Sequence, residues 1–91
     1  MDISERFSQN LVALRQAAEM SQEELAFRAS IHRTQISLME SGSRLPRLDT
    51  LVKLAGALEV PIETLLAGIA WEPSITKVGH FKVTKPTGPI N

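Results

Sequence analysis

The chain has 91 residues, ten basic against ten acidic side chains, and no cysteine. One small domain fits that length, and 43% hydrophobic with 22% charged residues is a globular composition rather than a disordered one. The absence of cysteine excludes disulfides, thiolate metal sites and thiol catalysis, and a zero net charge leaves any nucleic-acid binding to local placement of charge.

The first residues, Met1-Asp2-Ile3-Ser4-Glu5-Arg6, show no basic stretch followed by an apolar core, so no signal peptide is expected. The longest uncharged apolar run, residues 65–71, is far short of the ~20 residues that span a bilayer. A cytosolic chain without membrane contact is the expectation. Phe7, Leu11, Leu14 and Ala18 step by four, three and four, which places them on one face of a first helix capped by Asp2 or Ser4. Ser21 followed three residues later by Glu24 is a reciprocal capping box opening a second helix, with Leu25, Ala26 and Ala29 inward. A turn at 30–32 leads to a third helix over 33–41, stopped by Gly42, with Ile36 and Met39 inward. Met20 and Met39 are read as core filler.

Pro46 forces a loop, and a fourth helix is predicted over 48–58 with Leu51, Leu54, Ala55 and Leu58 on one face. Pro61 sits where it can start a fifth helix over 62–67, ended by Gly68. Residues 69–91 hold three of the five prolines and read as loop, with a strand expected around 78–83 and a frayed end. The architecture expected is all-α: a five-helix domain over 1–68 and a short tail over 69–91.

Short helices joined by a three- to four-residue turn make a helix-turn-helix. Leu14-Arg15, S-Q-E-E-L-A at 21–26, Ile36-Ser37, E-S-G-x-R-x-P at 40–46 and L-x-K-L-A-x-A-L at 51–58 together resemble the lambda-repressor-like, XRE-type helix-turn-helix regulators. The likeness covers about residues 7–67. It implies a five-helix DNA-binding domain whose third helix enters the major groove, N-terminal residues nearest the base edges. The positions so implied for base contacts are His32, Arg33, Thr34, Ser37 and Leu38. Arg33 suits a guanine O6/N7 pair, worth roughly 1–3 kcal/mol of discrimination. Thr34 and Leu38 suit a thymine methyl, although Leu38 has packing as its alternative. Gln22, Ser43, Arg44 and Arg47 are the implied phosphate contacts, aided by helix N-terminal amides. Arg15 and Glu40 are the implied ion pair tying the first helix to the third.

Two residues depart from the family pattern. Ser30 stands where glycine is usual, so either the turn differs or a positive φ is tolerated at a cost of about 1–3 kcal/mol. His32 stands where a small hydroxyl cap is usual; it reaches DNA or is a plain exposed histidine. Trp71, just past the fifth helix, either plugs its own domain or anchors a second subunit together with Val60, Leu66 and Ile69. Neither His80 nor any cofactor pattern supports a metal or cofactor, and no Gly-rich phosphate loop, H-E-x-x-H or nucleophile triad points to an enzyme. The function expected is a transcriptional regulator, a repressor, that binds double-stranded DNA as a homodimer on a pseudo-palindromic operator. A second reading is an antitoxin or other interaction module whose tail, 69–91, binds a partner protein by strand addition.

The zero net charge resolves into blocks. Residues 1–27 carry −3, residues 28–53 carry +3, residues 54–75 carry −3 and the remainder +3. The central basic block coincides with the third helix and its flanking loop, which implies a few phosphate contacts per subunit.

Overall fold

Asp2 opens the first helix, α1 (Ile3–Ala17), with a complete capping box: its carboxylate accepts from the Glu5 N–H at 2.9 Å, and Glu5 accepts from the Asp2 N–H at 3.1 Å. In the computed structural model, residues 1–76 and 78–86 are described. The expected frayed end beyond residue 86 lies outside them. Phe7 and Leu11 are buried, as their spacing predicts, but Ala18 is exposed. The helix ends one residue earlier, and the chain turns away through Glu19 at φ 57°.

Ser21 caps α2 (Gln22–Ala29) by accepting from the Glu24 N–H at 3.0 Å. The reciprocal half of the box expected there is replaced by an ion pair, since the Glu24 carboxylate lies 3.3 Å from Arg28. Leu25, Ala26 and Ala29 are buried. The turn into α3 (Arg33–Glu40) passes through Ser30 at φ 55°, ψ 46°, so the left-handed conformation is adopted by a serine. His32 caps α3: its Nδ1 accepts from the Thr34 N–H at 3.1 Å. Ile36 and Met39 point into the core.

The fourth helix, α4 (Leu48–Leu58), has the predicted bounds and buries Leu54, Ala55, Ala57 and Leu58. The fifth, α5 (Ile62–Leu65), is shorter than predicted. Residues 66–68 form a turn instead, closed by Gly68 at φ 81°. Thirteen buried apolar residues from all five helices and the α1–α2 turn form one core, and Leu14, Ile31, Leu51, Val60, Ile62 and Ile69 pack on its margin. Among the described residues no helix is long and apolar enough to cross a membrane.

The tail holds a two-stranded antiparallel hairpin, β1 (Ile69–Glu72) with β2 (His80–Val83). The register pairs Ile69 with Val83, Ala70 with Lys82, Trp71 with Phe81 and Glu72 with His80. One strand was expected near β2; β1 was not. Trp71 and Phe81 stack edge to face at 5.1 Å between centroids, and each remains 53% exposed. The α1 side chains Arg6 and Asn10 fasten the base of the hairpin. Arg6 Nε donates to the Ala67 carbonyl at 2.9 Å, and Asn10 Nδ2 donates to the Leu65 and Ala67 carbonyls, each at 2.9 Å. The Leu65 carbonyl ends α5 and has no helical donor of its own, and the Ala67 carbonyl lies in the turn that follows.

Candidate nucleic-acid interface

The exposed side of α3 carries Arg33, Thr34 and Ser37, with Leu38 half-buried beside them. An eight-residue helix whose two buried residues lie three apart has little else to anchor it. Polar contacts supply the rest. Arg15 on α1 meets Glu40, the last residue of α3, through two bonds: Nε to Oε2 at 2.6 Å and Nη2 to Oε1 at 3.0 Å. Gln22 at the start of α2 donates to the same Oε1 at 3.0 Å. The Ser8 hydroxyl donates to the Glu40 carbonyl, and Arg15 Nη1 donates to the Met20 carbonyl at 2.8 Å. Three helices therefore converge on one carboxylate. The side-chain hydrogen bonds to Glu40 raise the Arg15 pKa against the opposing effect of burial, and the Glu40 charge adds to the rise.

The arrangement adjusts several sequence-based assignments. Gln22, expected at a phosphate, has an amide N–H committed to Glu40. His32, expected to reach DNA or stand free, is the α3 cap. Ser43 is exposed, and its hydroxyl lies 2.8 Å from that of Ser41, which donates in turn to the Leu38 carbonyl. Arg44 and Arg47 line a small cleft of about 70 Å³ between α3 and the start of α4, together with Gln35 and Thr50. Arg47 Nε lies 3.7 Å from Asp49 and is almost fully exposed, so it is free to move to another anion. Val60 and Ile69, expected at a subunit interface, are half-buried against their own core, while Leu66 and Trp71 are exposed.

Sequence reasoning missed Gln35, which is exposed on α3 and shares the cleft with the two arginines. Its signal was present: it lies one residue before the buried Ile36, on the flank toward α4. Ser8 and Asn10 were also missed, because a polar residue within an amphipathic helix carries no mark of the distant carbonyl it will meet. Among the described residues no group of His, Asp or Glu side chains could hold a metal ion.

The HTH_3 helix-turn-helix family profile matches residues 11–65. The chain belongs to this helix-turn-helix family. The family is one of transcriptional regulators, not of enzymes. The control protein C.SmaI of Serratia marcescens is 39% identical over 66 residues, covering 72% of this chain and 79% of that protein. An uncharacterized HTH-type transcriptional regulator y4dL of Sinorhizobium fredii is 37% identical over 75 residues, or 82% of this chain, but the chain spans only 37% of its length. Among solved structures, the restriction-modification controller protein C.AhdI of Aeromonas hydrophila superposes with a TM-score of 0.66 at 37% identity. It is covered to 94% of its length by 68% of this chain. The lambda-repressor-like fold of five helices is thus shared with controller proteins.

Proposed function

We propose that the protein is a sequence-specific DNA-binding regulator that reads a half-site with α3. Its supporting observation is the exposed Arg33, Thr34 and Ser37 face, held in place by the Arg15, Gln22 and Ser8 bonds to Glu40 and flanked by Arg44 and Arg47. A helix fixed in this way can present side chains to base edges in the major groove while the neighbouring arginines contact phosphates. On this reading Arg33, Thr34, Ser37 and Leu38 contact bases. His32 keeps its ring at the entrance of α3, Gln22 stays bonded to Glu40, and Ser43, Arg44 and Arg47 face the backbone.

One α3 reads too few base pairs for useful genomic specificity. Two copies related by a two-fold axis read half-sites about 34 Å apart. The protein therefore acts as a homodimer on a pseudo-palindromic operator in the cytoplasm, with Leu66 and Trp71 in the subunit interface and Val60 and Ile69 supporting them from below. Repression by occluding polymerase is the simplest outcome. C.AhdI is named a restriction-modification controller, which makes genes of that kind the first place to seek the operator.

Selection of bound duplexes from a random library tests the reading. It should return a two-fold symmetric site, and Arg33→Ala should lose preference at one position of each half-site while the fold is kept. Recovery of random sequence from the selection would reject it. The half-exposed Trp71 and Phe81 pair favours a second role for the tail, contact with a partner protein. That role predicts a stoichiometric companion on purification from the native cell, lost in Trp71→Ser.

A further inference from the structure

The outer face of α1 and the chain leaving β2 enclose an open groove of about 970 Å³. Its size is at the upper end of small-molecule sites. Val12, Ala13 and Ala17 from α1 and Pro86 from the tail give it apolar walls. Arg6 and Lys85 are the charged side chains among its described lining residues, and no Asp or Glu is among them. The groove lies on the side of α1 turned away from the core residues Phe7 and Leu11.

Arg6 gives the groove its chemistry. It is only 8% exposed and has no carboxylate partner among the described ion pairs. Nε donates to the Ala67 carbonyl, while Nη1 is buried without any hydrogen-bond partner. A buried, uncompensated cation is costly, and an anion brought alongside lowers that cost. Lys85 adds a second positive charge at the same groove. The buried Arg6 guanidinium acts on the groove through its charge and the exposed Lys85 offers the direct contact, while the alanine, valine and proline walls suit a hydrocarbon body.

We propose that this groove binds an amphipathic organic anion, a carboxylate carrying an apolar chain, with the carboxylate toward Arg6 and Lys85 and the chain along Val12, Ala13 and Ala17. Such a site needs no second domain. The inference does not depend on DNA binding, because none of the groove residues named belongs to the α3 face.

Titration of the full chain with sodium octanoate, followed by amide chemical shifts, tests it. Saturable shifts centred on Val12, Ala13 and Ala17 are expected, with 1-octanol and octylammonium each binding at least about tenfold more weakly. Lys85→Glu, which replaces an attractive charge with a repulsive one, should weaken octanoate by at least about tenfold, and Ala13→Trp should abolish binding by filling the groove. Lys85 is exposed, so its variant tests the charge without disturbing the core. Shifts that do not saturate, octanol binding as tightly as octanoate, or an unchanged affinity in both variants would overturn the proposal. A glutamate-rich peptide that displaces octanoate and binds more tightly would also overturn it, by making the groove a protein-docking surface.

Discussion

Arg15 and Glu40, twenty-five positions apart, form a two-bond pair with side chains only 15% and 7% exposed. The carboxylate also receives Gln22, so its removal strands a largely buried guanidinium and frees an amide. Glu40→Ala should cost about 3–5 kcal/mol, a fall in Tm of roughly 12 °C or more for a domain of this size. Thermal unfolding followed by far-UV circular dichroism measures it. An unchanged Tm would show that the pair is merely a solvated contact.

Ser30 adopts φ 55° at the end of α2, a region that L-residues other than asparagine and aspartate rarely enter. Glycine at that position removes the side-chain strain but raises the entropy of the unfolded chain. The first effect is the larger, so Ser30→Gly should gain up to about 1 kcal/mol. Urea titration should show a higher midpoint with an unchanged slope. A lower midpoint would mean that the serine hydroxyl compensates locally for its backbone.

His32 separates stability from recognition. It caps α3 through Nδ1, so His32→Ala should cost about 0.5–2 kcal/mol, as lost N-caps do. His32→Asp should restore the cap and add a favourable charge at the helix N-terminus. That same charge would repel the phosphates that the proposed DNA reading brings near the helix. The expected result is a wild-type Tm with weaker binding to operator DNA, read by fluorescence anisotropy; full stability with full affinity would place residue 32 away from the DNA.

Helix bounds were most legible where apolar spacing and turn residues agreed, as in α4, whose bounds Leu48–Leu58 follow directly from Leu51, Leu54 and Leu58 between Pro46 and Pro61. Ala18 misled because its spacing is right but its helix has already ended, and an alanine gives no sign of which side it takes. The strand β1 was not found because Ile69, Ala70 and Trp71 continue the uncharged run of 65–71 and show no alternation, unlike His80–Val83. Only pairing with β2 across the Pro73 loop reveals that Ile69, Trp71, Phe81 and Val83 share a face. Gly68 shows the same limit. A Cβ there would lie 2.4 Å from Arg6 Nε, so its glycine serves a contact with α1 as well as the turn that sequence could show. Gly68→Ala should break the Arg6 bond to Ala67 and, with the φ of 81°, cost about 1–3 kcal/mol; denaturant melts that match wild type would refute that contact.

Arg33 and Arg44 differ in what surrounds them, and the difference predicts two kinds of binding loss. Arg33 is exposed at the first turn of α3, where the proposed reading brings side chains to base edges. Arg44 lies in the loop after α3, in the cleft shared with Gln35 and Arg47, where a phosphate rather than a base would be met. A phosphate contact releases a condensed counterion, so Arg44→Ala should reduce the slope of log K against log salt by about 0.9 and weaken operator and random DNA by the same factor. Arg33→Ala should instead cost roughly 1–3 kcal/mol on the operator alone. Salt titrations of both variants against operator and random duplexes discriminate the roles. A shallower salt slope for Arg33→Ala, with altered base preference for Arg44→Ala, would exchange the two assignments and move the DNA-facing surface from α3 to the loop that follows it.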